Sequence, residues 1–229
     1  MMPIIGNPPG GSTGVAYDAD LYYVRSTGLP ATVWIDAPTE NNVGVRRAFE
    51  HLANRSDVKI ISMSQGGVIT WAGIRNAVRL CNDNGKMIFM AGGTFVAGEL
   101  LSDVLFGDPG NFTLFPANLS FNDAQNNFPY VFSATGIENT TNIEDGSWCF
   151  QCFGRADFVV EFDSGGSSSE ATATTAGMAA LIWANDPQLT RNDVLTKMAN
   201  AADRGLNNPH PDFGYGRVNM QSFVDNEGL

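Results

Sequence analysis

Residues 163–177 read D-S-G-G-S-S-S-E-A-T-A-T-T-A-G and continue as M-A-A-L-I at 178–182. Two glycines and a run of serines give way at once to Ala, Thr, Met, Leu and Ile without a proline. That composition predicts a loop opening directly into a helix over residues 170–183. A hydroxyl at such a junction lies beside unpaired backbone N–H groups, in the positive field of a helix N-terminus. It is a sound position for a nucleophilic serine, because the same N–H groups can hold an oxyanion. A flexible Gly-Gly loop closed by a serine N-cap has the same composition, and the segment by itself supports both readings.

Outward from this junction the chain alternates strands and helices. V-K-I-I-S-M at 58–63 and K-M-I-F-M-A at 86–91 are short apolar runs with the length of buried strands, and residues 130–135 and 156–162 read the same way. Residues 19–25 and, more weakly, 31–35 are expected as earlier strands. Residues 42–54 form an amphipathic helix, with Val43, Ala48 and Leu52 assigned to one face. A second helix is expected over 70–82, capped by Thr70 and stopped at Asn84-Gly85. Thr190, with Asp193 three residues on, caps a helix over 191–202, and 219–224 forms a last short one. Residues 98–129 are rich in loop formers. Strands joined through helices imply a parallel sheet, hence an α/β fold in one domain over residues 1–229. Function in such sheets sits at the carboxyl ends of the strands, here the loops at 62–67, 91–94 and 164–169.

Composition narrows the function. The 229 residues carry 13 Lys and Arg against 24 Asp and Glu, a net charge of -11, so a protein that tracks a nucleic-acid backbone is excluded as a reading. The longest apolar run, 176–184, is nine residues, too short for a bilayer, and no membrane partner is expected. Cys81, Cys149 and Cys152 are too few for a disulfide scaffold. The lone C-x2-C at 149–152 lacks two further zinc ligands, so a small-loop disulfide or two free thiols is expected and no metal site is assigned. Neither G-x-G-x-x-G nor a P-loop follows any strand, which disfavours a nucleotide-binding domain.

Five segments, in order, resemble the subtilisin-like serine peptidases. Residues 167–177 are similar to that family's G-T-S-M-A-S/T-P-H-V-A-G, which places its nucleophile on Ser169. G-V-A-Y-D-A-D-L-Y at 14–22 resembles G-V-A-P-x-A-x-L-Y, and V-K-I-I-S-M-S-Q-G-G at 58–67 resembles D-V-I-N-M-S-L-G-G. F-P-A at 115–117 and G-Y-G-R-V-N at 214–219 resemble its Y-P-A and closing G-Y-G-x-V-N/D. The resemblance implies a three-layer subtilisin-like fold with a mainly parallel central sheet, and a serine endopeptidase activity on extended peptide substrates. Ser64, Gln65 and Gly66 would pair with the substrate backbone by β-augmentation. Met90, Ala91 and Gly92 would line the pocket for the side chain before the scissile bond. Gly93 and Thr94 would occupy the oxyanion region beside the Ser169 N–H. Asp157 would be structural. Calcium is the cofactor this family suggests, although no carboxylate spacing here forces a site, and export from the cytoplasm (secreted or periplasmic) is the compartment it suggests.

The sequence also departs from the family pattern. The triad runs Asp, His, Ser along the chain, and nothing in residues 1–13 resembles the Asp or His motif. His51 and His210 fall in a surface helix and a Pro-Asn loop. The expectation is therefore a domain lacking its N-terminal Asp- and His-bearing elements, inactive alone, and completed by a missing N-terminal segment or by a second chain. Glycine at 93 replaces the usual Asn, and losing that side-chain donor raises the barrier by about 3 kcal/mol. A non-catalytic relative that keeps the cleft as a peptide-binding or scaffolding module is the competing reading.

Overall fold

The computed structural model describes residues 15–16, 19–24, 33–34, 40–67, 72–93, 116–122, 128–138, 149, 152, 155–163 and 165–227. The sheet is best understood from Met87–Ala91 (β4), in which every residue is buried. Side chains of a strand alternate between faces. Ile88 and Met90 enter one apolar cluster, and Met87 and Phe89 enter another on the opposite side. A strand buried on both faces belongs to a sheet covered by helices on both sides, which is the parallel arrangement.

The order of the main sheet is Ile60–Met63 (β2), β4, Val131–Glu138 (β5) and Phe158–Phe162 (β6), and every neighbouring pair is parallel. Glu40–Ala53 (α1) and Ala72–Asp83 (α2) cover one face, through Val45, Phe49, Ile74 and Val78. Ser168–Asn185 (α4) and Arg191–Asn200 (α5) cover the other, through Met178, Ile182, Val194 and Met198. These are three layers, and the expected α/β architecture with a parallel central sheet is the observed one. A separate two-stranded parallel pair joins Val33–Trp34 (β1) to Gly66–Gly67 (β3). Leu119–Asn122 (α3) is a single helical turn, and Met220–Glu227 (α6) follows the last crossover.

Local chemistry sets the element ends. Thr190 accepts the Asp193 N–H at 3.2 Å while the Asp193 carboxylate accepts the Thr190 N–H at 2.9 Å, the reciprocal pair that opens α5. α2 stops at Gly85, whose φ of +84° an L side chain rarely adopts, and the Lys86 N–H closes back on the Cys81 carbonyl at 3.0 Å. Lys86 is itself buried. Its ammonium donates to the Val58 carbonyl at 2.7 Å and to that of Arg55, fixing the turn before β2, and burial lowers its pKa.

Three local expectations differ from the structure. Residues 19–24 form no strand; among the described residues no strand runs beside them. Tyr22 instead stacks on His51 and lies under the Arg55 guanidinium, 4.1 Å from its ring centre. The buried stripe of α1 is Val45, Phe49 and Ala53, one residue round from the face assigned by sequence. α4 begins at Ser168 rather than 170, because its cap is Ser167. The Thr70 cap lies outside the described residues.

Candidate functional site

The loop after β6 turns through Gly165 and Gly166, at φ +71° and +87°, and delivers Ser167 to the N-cap of α4. The Ser167 hydroxyl accepts the Glu170 N–H and donates to the Glu170 carboxylate, both at 3.2 Å. The cap role therefore falls on Ser167, and Ser169, two residues on, is left in the first turn. It is half-buried, and among the described residues its hydroxyl has no hydrogen-bond partner. Ser168 is fully buried and its hydroxyl also has no partner among the described residues.

Ser64, just past the carboxyl end of β2, donates its hydroxyl to the Ser169 carbonyl at 3.3 Å across 105 residues of sequence. Ser64, Gln65 and Ser169 line one cavity. The register Met63↔Met90 sets Ser64 beside Ala91, so Gly92 and Gly93 leave the sheet at the same end. The Gly92 N–H is bound to the Ala134 carbonyl at 2.9 Å. Three loops predicted to meet at the carboxyl edge thus do share that edge. Thr94 lies outside the described residues.

Other residues singled out by sequence take structural positions. The Met90 side chain is fully buried in the cluster facing α1 and α2. Gly66 is buried and in register with Val33 of β1, so one edge of β3 is already paired. His210 accepts the N–H groups of Asp212 and Phe213 at its Nδ1, at 3.1 and 3.3 Å, within a tight turn. His51 contacts Tyr22 at 3.0 Å on α1. Neither histidine lines the Ser169 cavity. Asp157 accepts the Ser133 N–H at 2.7 Å and ties β5 to β6. The residue as a whole keeps some solvent contact, but its carboxyl end is enclosed, and burial pushes its pKa up to about 7.

Cys149 and Cys152 form a disulfide, resolving the C-x2-C, and the Cys149 N–H donates to the Gly136 carbonyl at 3.2 Å. Cys81 is a buried thiol pushed up to about 12, held to the Phe49 carbonyl, and is inert at neutral pH. Among the described residues no three His, Cys, Asp or Glu side chains are grouped to hold a metal ion, and no helix is long and apolar enough to cross a membrane.

Sequence reasoning missed two features: the pairing of β1 with β3, which two residues of a Pro-flanked segment hardly announce, and the isolated hydroxyl of Ser168. The S-S-S run was the only signal for the second. It could not say which serine caps, which is buried and which faces the cavity.

No curated protein matches the chain. The structure resembles sphericase, with 18% identity and a TM-score of 0.64 over 93% of this chain and 72% of that one. It also resembles the S41 psychrophilic protease, with 21% identity and a TM-score of 0.66 over 96% and 75%. MycP1 from Mycobacterium smegmatis shares 17% identity with a TM-score of 0.65 over 97% and 68%. At such identities the likeness speaks for the fold. The sequence itself matches the profile of the Subtilase family, Peptidase_S8, over residues 3–217, nearly the whole chain. A serine opening a helix at the carboxyl edge of this sheet agrees with that match: the chain belongs to the subtilase family, whose members are serine peptidases.

Proposed function

We propose that residues 1–229 are one subtilisin-type catalytic unit hydrolysing internal peptide bonds, with Ser169 as nucleophile. The observation that carries this reading is the placement of Ser169 in the first turn of α4, tied to Ser64 at the carboxyl edge of a parallel sheet. The Ser169 oxygen attacks the substrate carbonyl carbon and its proton passes to a base. The developing oxyanion lies against the Ser169 N–H and the Gly92–Gly93 bend. The tetrahedral intermediate then expels the amine, which takes the proton, and water hydrolyses the acyl ester. Ser64–Gly66 offer main-chain groups to an extended peptide, and Ala91–Gly92, at the end of β4, bound the pocket for the residue before the cut.

The base is supplied from outside the described residues. A serine without one is a poor nucleophile at neutral pH, and His51 and His210 are engaged elsewhere. The buried Cys149–Cys152 disulfide supports a secreted or periplasmic location. The test is labelling with a fluorophosphonate probe. The 229-residue chain alone is expected to label negligibly, and to label stoichiometrically at Ser169 once its general base is restored. Rapid labelling of the isolated chain, abolished by Ser169→Ala, would show the missing-base argument to be wrong. Gly93, with no side-chain donor, favours a second reading as a non-catalytic peptide-binding module. Absence of labelling after restoration, with peptide binding retained, would establish that reading.

A further inference from the structure

Gly136 lies toward the carboxyl end of β5, and two groups press on its bare backbone. A Cβ there would stand 2.5 Å from Cε2 of the Phe162 ring and 2.7 Å from Sγ of Cys152. The ring and the sulfur share the space that a side chain would fill, so the close approach requires glycine. The Cys149–Cys152 disulfide is pinned to the same residue. The Cys149 N–H donates to the Gly136 carbonyl at 3.2 Å, and the Cys152 N–H donates to the Cys149 carbonyl at 2.9 Å. Both cysteines are buried.

The same ring reaches the serine loop. Its Cγ and Cδ2 lie 2.5 Å from the place a Cβ would take on Gly166, in the loop that leads to Ser169. The ring also packs against the buried cluster of Ala134, Val160 and Ala171, and Ala171 belongs to the first turn of α4. One flat side chain thus bridges two glycines, with the disulfide on one side of it and the turn bearing Ser169 on the other. Ring lies directly on backbone at both places, so in a close-packed interior a displacement of the ring is passed on to the loop.

We propose that the Cys149–Cys152 disulfide braces the turn that carries Ser169, with Phe162 as the positioning residue between them, so that the turn is held in place only while the disulfide is closed. Opening it takes two electrons and two protons. A thiolate of a dithiol reductant attacks one sulfur, and the other leaves as a thiolate. The reductant's second thiol then displaces the first, leaving two cysteine thiols and the reductant as a disulfide. Two separate thiols need more room than a bonded pair, and this site is enclosed. β5 is paired on both sides, by β4 and β6, so its backbone stays and the ring yields. Burial of both sulfurs limits access and slows the exchange, which makes the disulfide a lasting brace in an oxidising medium and not a rapid switch. The proposal rests on the reading of Ser169 as nucleophile only for its consequence, a serine fixed in the oxidised chain and loosened in the reduced one.

Amide hydrogen exchange tests this on the oxidised chain, on the chain kept in excess dithiothreitol, and on the Cys149→Ala/Cys152→Ala double variant. The Glu170 and Ala171 amides, bonded to the Ser167 hydroxyl and carbonyl, should exchange at least tenfold faster in both disulfide-free forms. The Gly92 amide, bonded to the Ala134 carbonyl, and the Val194 amide in α5 should be unchanged, showing that the fold persists. Phe162→Leu, which removes the ring, should speed the same two amides in the oxidised chain, and loss of the disulfide should then add less than twofold. Two independent structural supports would instead give effects that add. Equal exchange at Glu170 and Ala171 with and without the disulfide overturns the proposal. So do additive effects in the Phe162→Leu chain. Loss of Gly92 protection in both disulfide-free forms overturns it too, because the disulfide would then hold the whole sheet. The readout needs no reactivity from Ser169, so the two claims fail separately. Loosening of the turn without any fluorophosphonate labelling supports the brace and counts against the nucleophile, and labelling with unchanged exchange does the reverse.

Discussion

A Cβ added to Gly166 would meet the Phe162 ring at 2.5 Å, on a backbone already at φ +87°. This residue sets the direction from which the chain enters α4 and so where Ser169 stands. Gly166→Ala should cost about 1–2 kcal/mol from the left-handed conformation alone, with the ring clash in addition, read as a lower urea midpoint. Asp157 is the second residue whose chemistry reaches beyond itself. Its carboxyl titrates near 7 in the fold because it is enclosed, against about 3.9 in an unfolded chain. Between those values the native state holds a proton that the unfolded state has released. Its contribution is therefore fully present below about pH 4, declines as pH rises, and is lost above about 7. Asp157→Asn removes this dependence. Relative to the parent, the variant should gain roughly 2–4 kcal/mol between pH 4.5 and 8, measured by denaturant titration at both.

At the scale of elements, Thr190→Ala removes the side-chain half of the α5 capping box, leaving its backbone N–H to the Asp193 carboxylate, and should lower stability by about 1 kcal/mol. A urea titration in which the midpoint does not move would assign the helix start to packing alone. The Thr190–Asp193 pair was legible in the sequence because capping is local: four residues carry the whole instruction. β2 and β4 were legible for a related reason, since unbroken apolar runs of strand length admit few other fates. The face of α1 was not. Leu52 and Phe49 are both apolar, and which of them meets Ile61 and Ile88 depends on how the helix is rotated against the sheet. Residues 19–24 alternate like a strand but lie without a partner beside them among the described residues, and β propensity without a neighbour is not structure. Of the candidate site, the spacing announced three loops at one edge. The placing of Ser169 and the burial of Met90 were not legible, because Ser169 meets Ser64 across 105 residues and Met90 meets α1, some 40 residues away.

On the scale of the whole molecule, two apolar clusters lie on opposite faces of one sheet. Ile74 belongs to the α2 side and Ile182 to the α4 side. Ile74→Val and Ile182→Val should each cost about 0.5–1.5 kcal/mol, and the double variant should equal their sum within roughly 0.5 kcal/mol, because the sheet separates them. A large coupling energy in calorimetry would mean that the sheet transmits strain between layers. Among the described residues no strand pairs with the outer edge of β2, and this has a colloidal consequence. An apolar strand with unused main-chain donors and acceptors is a template on which foreign strands can grow into insoluble aggregates. Lys59 stands just before it, exposed, with its ammonium 4.7 Å from the Trp183 ring centre and 3.4 Å from the Pro187 carbonyl. It acts as a gatekeeper: a neutral residue at position 59 should turn a soluble preparation cloudy on concentration.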